Sequence, residues 1–97
     1  MLKNTIILDG TVCSCGEPSD VEYGHWEFNL RHENPTYANK NICIVVCVSG
    51  KERAKKISKK ILPDMDVRVE GELRAECFDA DYFIEAKRIW RIGGNRD

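Results

Sequence analysis

The sequence predicts an all-β domain of five strands with a single helix between the third and the fourth. Three observations support this fold class: apolar and polar residues alternate in several segments, one segment is apolar on both faces, and one segment has helical spacing. The chain has 97 residues, 42% of them hydrophobic, which is enough for one core and too few for two. We therefore expect one domain over residues 1–92, followed by a short flexible terminus at residues 93–97.

The first two strands are predicted at residues 4–13 and 21–32. The first is rich in β-branched residues, and Gly10 in its middle indicates a bulge or a sharp bend. In the second, Trp26 and Phe28 alternate with polar residues, the period of two that is typical of a half-buried strand. We expect both rings to lie in the core.

The third strand is predicted at residues 42–49, where a run that is apolar on both faces indicates a central position. Apolar residues at helical spacing follow over residues 51–62, and Pro63 ends this helix because its ring lacks an N–H and disfavours a helical residue before it. The helical segment carries six basic and one acidic side chains, a net charge of +5. The other 85 residues carry nine basic and fifteen acidic ones, or −6, so the total of −1 hides a strong asymmetry.

The last two strands are predicted at residues 66–76 and 82–92, and the first of them alternates valines with charged residues. Trp90 departs from the apolar phase set by Ile84, Ala86 and Ile89, so we expect it to be exposed and to serve an interface. Three strands, a helix and two further strands are the layout of the OB-fold, a five-stranded Greek-key barrel.

The five cysteines are expected to be reduced, because their number is odd and no export signal precedes them. The chain also lacks an apolar run long enough for a membrane span, so we expect a cytoplasmic protein without membrane contact. Cys13 and Cys15, with Cys43 and Cys47, could form a zinc site, but the last two lie in a predicted buried strand, which favours small hydrophobic thiols. No catalytic motif appears, so we expect no enzyme, no metal and no cofactor.

Five segments in order carry a resemblance to a known family. They are residues 4–12, 25–33, 46–50, 66–74 and 86–89. The first is similar to the pattern N-x-V-x-L-x-G-x-V, the second contains F-x-L-x-H, and the fourth contains V-x-V-E-G-x-L-R. Over residues 3–92 the chain resembles the bacterial single-stranded DNA-binding proteins and their relatives, the primosomal replication protein N family.

The resemblance implies a homo-oligomer of OB-folds, dimer or tetramer, that binds single-stranded DNA without strong sequence preference in replication, repair or plasmid maintenance. In such proteins a positive groove follows the phosphates and aromatic rings stack on the bases. Phe78 lies where the family places a stacking aromatic, and Lys51 lies where it has a basic residue. Cys43 and Ser49 stand where it usually has further aromatics. Since the chain ends at Asp97, we expect no linker or acidic recruiting tail.

Seven residues are expected to contact nucleic acid. They are Tyr37, Lys40, Lys51, Arg53, Arg74, Phe78 and Tyr82. Phe78 and Tyr82 flank an Asp-Ala-Asp turn, where an exposed ring is hard to explain as core; packing across the hairpin or in a subunit contact is the alternative. The lysines of the helix either contact phosphates or form a solvated surface.

A second function stays open, an OB-fold adaptor that binds a helicase or primase in a replication or primosome complex and binds DNA weakly or not at all. Two aromatic positions are missing and the net charge is close to zero, and both features are compatible with a protein partner.

Overall fold

A computed structural model describes residues 3–33, 41–75 and 81–93, with the backbone only at residues 18–20. Its strands are β1 (Ile6–Cys15), β2 (His25–His32), β3 (Ile42–Ser49), β4 (Asp66–Ala75) and β5 (Tyr82–Arg91). Helix α1 (Lys51–Ser58) lies between β3 and β4, and a 3-10 helix (Pro18–Tyr23) precedes β2. This order confirms the predicted fold class. No helix in the described part of the chain is long and apolar enough to cross a membrane.

The strands close into a barrel in the order β1, β2, β3, β5, β4. Closure depends on β1, which pairs with β4 up to Thr11 and with β2 from Thr11 onward. The register shift of β1 falls between Val12 and Ser14 rather than at Gly10. Gly10 serves another purpose: a Cβ there would lie 2.5 Å from the carbonyl oxygen of Arg31, so only glycine lets β1 approach β2 this closely.

The core fills the barrel with the inward-facing side chains of all five strands. Trp26 and Phe28 are buried as predicted, with ring centroids 5.8 Å apart. The indole N–H of Trp26 donates to the carbonyl oxygen of Gly16 at 3.0 Å, which satisfies its one polar atom. Ala54 and Ile61 from the helical segment close one part of this core.

Three predicted elements have boundaries that are wrong by two residues or more. The first strand is shifted by two residues, to Ile6–Cys15 instead of 4–13. The second strand begins at His25, because Val21–Tyr23 belong to the 3-10 helix, which ends at Gly24 with a φ of +88° that favours glycine. The helix ends at Ser58, four residues before the predicted end. Beyond it the N–H groups of Lys60 and Ile61 both donate to the carbonyl oxygen of Ile57, a turn that carries Ile61 into the core.

A bulge in β5 explains the position of Trp90. Glu70 of β4 pairs with Arg88, whereas the next residue, Gly71, pairs with Ala86, so Lys87 is an extra residue in β5. The inward phase shifts by one residue beyond this point. Trp90 consequently faces outward and is 38% exposed, as the sequence predicts.

Candidate nucleic-acid interface

The outer face of β2, β3 and β5 forms a groove of about 520 Å³, here called the sheet groove. Because Trp26 and Phe28 point into the barrel, the alternate residues His25 and Glu27 point out into this groove. The other strands contribute in the same way. The lining residues are Gly24, His25, Glu27, Val45, Cys47, Ser49, Asp81, Tyr82, Phe83 and Glu85.

Two smaller hollows continue the same face. One of about 410 Å³ shares Val45, Asp81 and Tyr82 with the sheet groove and runs along the first residues of β3; here it is called the β3 hollow. The other, of about 160 Å³, shares Glu27 and Val45 and reaches the end of β1. The outer face is therefore concave from β1 across to the start of β5.

The electrostatic character of this face is acidic. Among the described residues, no lysine or arginine lines the sheet groove or the two adjoining hollows. Glu27, Asp81 and Glu85 do line the sheet groove, and their carboxylates come from β2, from the residue before β5 and from the middle of β5. A phosphate at the centre of the groove would therefore meet charges of its own sign.

Tyr82 is the predicted site residue that the structure places in this face. Its side chain is 61% exposed and lines both the sheet groove and the β3 hollow. An aromatic ring at this position offers a base an exposed surface on which to stack.

Arg74 lies beside the groove but its charge is already paired. Its Nε donates to Glu85 at 2.6 Å and its Nη2 donates to Glu72 at 2.6 Å. Lys87 also lies 3.5 Å from Glu72. The guanidinium group therefore neutralises carboxylates next to the groove.

Lys51 and Arg53 both lie on α1 but differ in their surroundings. Lys51 is exposed and follows Ser49, a groove residue, by two positions. The Nη1 of Arg53 instead donates to the carbonyl oxygen of Ala86 at 2.7 Å, which ties α1 to β5. Three further predicted contact residues, Tyr37, Lys40 and Phe78, lie outside the described residues.

The two cysteines of β3 lie on the same face of the strand but differ in burial. Cys47 is buried as predicted, and burial raises the pKa of its thiol. Cys43 is exposed, so the prediction of a buried thiol is wrong at that position. The reason is that the barrel covers only the second half of β3.

Within residues 3–33, 41–75 and 81–93, no cluster of three or more His, Cys, Asp or Glu could hold a metal.

Sequence reasoning missed the three groove carboxylates. Glu27 and Glu85 lie on the polar phase of their strands, where a charged residue normally faces solvent. Their convergence depends on the pairing of β3 with β5, which aligns Cys47 with Glu85, and with β2, which aligns Cys47 with Glu27. That pairing was the only signal, and it is not visible in the local pattern.

The opposite face, formed by β1, β4 and the end of β5, has mixed character. Arg68 donates from Nε and Nη2 to the two carboxylate oxygens of Asp9, at 2.7 and 2.9 Å. This bidentate hydrogen bond lowers the pKa of Asp9 below its ordinary value. Ile7, 60% exposed, and Trp90 line the same hollow and give the face an apolar component.

A closed five-stranded barrel with its helix between the third and fourth strands is an OB-fold. No protein-family model matches the chain, and no curated protein matches its sequence. Solved structures do share its fold.

The N-terminal domain of PriB from Thermoanaerobacter tencongensis superimposes with a TM-score of 0.67 at 15% identity, covering 94% of this chain and 98% of that one. A small single-stranded DNA-binding protein from Streptomyces coelicolor gives 0.66 at 15% identity, covering 95% and 96%. The mitochondrial single-stranded DNA-binding protein Rim1 from S. cerevisiae gives 0.72 at 12% identity, covering 95% and 96%. The resemblance seen in the sequence motifs is thus confirmed at the level of the fold.

Proposed function

We propose that this protein is a non-catalytic, cytoplasmic binder of single-stranded DNA with little sequence preference, working as a homo-oligomer in replication, repair or plasmid maintenance. The proposal depends mainly on the concave outer face of the barrel. The exposed aromatic ring of Tyr82 lies on one side of this face. Ser49 lies on the other side, next to the start of the basic helix α1. Structures of the same fold are described as single-stranded DNA-binding proteins, which supports it.

The acidic lining of the groove determines how DNA lies on this face. Phosphates avoid Glu27, Asp81 and Glu85 and follow the lysines of α1, starting from Lys51, while bases stack on Tyr82. The remaining residues of the proposed contact set are Tyr37, Lys40, Arg53, Arg74 and Phe78.

Fluorescence anisotropy of a labelled oligo-dT tests the proposal. We expect binding at low salt, with a slope of log K against log salt of about −2 to −4 if three to five phosphates are contacted. Tyr82→Ala is expected to weaken binding by about 5- to 150-fold, the effect of losing one stacked base. Tyr23→Ala is the matched control, because Tyr23 is 81% exposed and does not line the sheet groove. Absence of binding at low salt would exclude the function.

Self-association is proposed through the opposite face. Ile7 and Trp90 expose apolar surface beside the Asp9–Arg68 pair, and a two-fold contact would bury both apolar side chains. Light scattering after gel filtration, with and without oligo-dT, reports assembly and binding together. A monomer in both runs at micromolar concentration would contradict this part of the proposal.

A second candidate function, protein binding as an adaptor of a replication or primosome complex, is favoured by one observation. No lysine or arginine of the described residues lines the outer face of β2, β3 and β5, where an OB-fold takes its oligonucleotide. A pull-down that recovers a helicase or primase equally well after nuclease treatment, from a protein that does not bind oligo-dT, would favour the adaptor over the DNA binder.

A further inference from the structure

We propose that the sheet groove binds an extended segment of a partner protein that carries lysine or arginine at alternate positions. The inference names the partner chemistry of the second candidate function and rests on that function; it is independent of DNA binding.

Charge complementarity indicates a cationic occupant. Glu27 and Asp81 are exposed at the groove and make no ion pair within the described residues, whereas Glu85 is paired with Arg74. Two uncompensated carboxylates in one concave surface attract an ammonium or guanidinium group and repel a phosphate.

The floor of the groove suits the stem of a basic side chain. Val45, Cys47 and Phe83 give the lining an apolar component between the carboxylates. Lysine and arginine place their methylene groups on apolar surface while the charged head stays in polar surroundings. One long basic side chain can therefore contact the apolar residues with its methylene groups and the carboxylates with its charged end.

The edge of β3 before Val45 has no strand partner among the described residues, which indicates that the occupant is extended. The parallel pairing of β3 with β5 has three residue pairs and begins at Val45 and Phe83. Ile42, Cys43 and Ile44 pair with β2 on one side, and no described strand pairs with them on the other. Unpaired backbone groups at a strand edge are a template for an added strand.

The position of this edge sets the spacing of the basic residues. The β3 hollow runs along Ile42–Ile44 and leads into the sheet groove through Asp81 and Tyr82, so a segment paired with the edge continues toward the carboxylates. Side chains of an extended chain face the same way at every second residue. Lysine or arginine at positions i and i+2 would therefore both point toward the groove carboxylates.

Fluorescence anisotropy with a labelled peptide of five Lys-Ser repeats tests the inference, with a Glu-Ser peptide of the same length as the reference. The groove variant is Glu27→Gln/Asp81→Asn. The matched control is Glu33→Gln/Asp64→Asn, which changes the net charge equally at exposed carboxylates that do not line the sheet groove. We expect the wild type to bind the Lys-Ser peptide and not the Glu-Ser peptide at low salt. The groove variant should bind at least about threefold more weakly, and the control variant should match the wild type.

Equal affinities of the wild type and the groove variant, an equal loss in both double variants, or no binding of the Lys-Ser peptide would overturn the inference. The same variants titrated with oligo-dT separate the two functions, because removing groove carboxylates should leave DNA binding unchanged or strengthen it. If the protein recovers a helicase or primase in the pull-down but does not bind the Lys-Ser peptide, the adaptor function is supported and the inference about the groove is wrong.

Discussion

Gly71→Ala perturbs the contact between β4 and the bulge of β5. A Cβ on Gly71 would collide with the carbonyl oxygen of Glu85 and would lie 2.9 Å from its carbonyl carbon and 3.0 Å from the Cα of Ala86. All three are backbone atoms, so no side-chain rotation relieves the overlap. The strand would have to retreat by roughly 1 Å, a small-to-large change that costs about 1–3 kcal/mol. For a domain of this size that corresponds to a fall in Tm of about 4–24 °C.

Thermal unfolding followed by circular dichroism measures this effect. Gly93→Ala is the comparison, because a Cβ there meets nothing within 4 Å and only the φ of +57° opposes the substitution. We expect Gly71→Ala to lower Tm more than Gly93→Ala does. A Tm within about 2 °C of wild type for Gly71→Ala would refute the close approach at the bulge, since the smallest expected cost exceeds that shift.

Three further predictions concern single groups. Asp9→Asn should lower the free energy of unfolding at pH 7 by about 0.5–1 kcal/mol, because it breaks the exposed pair with Arg68. Since the folded pKa of Asp9 is lowered, this stabilisation is present above the ordinary value of 3.8 and is lost as the pH falls below it, so urea titrations of the two proteins should converge in acid. Arg53→Ala should lower stability by about 1–2 kcal/mol, because it removes the hydrogen bond to Ala86 that ties the helix to the barrel; an unchanged urea midpoint would contradict this. Finally, Cys47 should react with iodoacetamide more slowly than the exposed thiols, as burial raises its pKa; peptide mass spectrometry showing equal rates would contradict its burial.

Local patterns predicted most of the fold, and non-local pairing explains what they missed. The alternation that placed Trp26 and Phe28 in the core needs only the period of a strand. The exposure of Trp90 was also visible as a break in that period, although its cause, the extra residue in β5, appears only in the pairing with β4. The 3-10 helix before β2 is not visible in the local pattern because Val21–Tyr23 has strand-like composition.

The candidate site was less predictable than the fold. Tyr82 was identified from its place beside a turn, and it does line the sheet groove. Arg53 and Arg74 were selected for their charge, but one guanidinium donates to the backbone of Ala86 and the other pairs with carboxylates. These hydrogen bonds and ion pairs join residues distant in the sequence, so composition could not reveal them. The convergence of the groove carboxylates has the same origin.

Both proposed functions place their ligand on the outer face of β2, β3 and β5. An NMR titration tests this placement most directly, with amide chemical shifts of ¹⁵N-labelled protein followed as oligo-dT is added at low salt. We expect the largest shifts at Ser49 and Lys51 on one side of the sheet groove and at Tyr82 and Phe83 on the other. Shifts confined to the opposite face around Ile7, or no shifts at all, would contradict this placement.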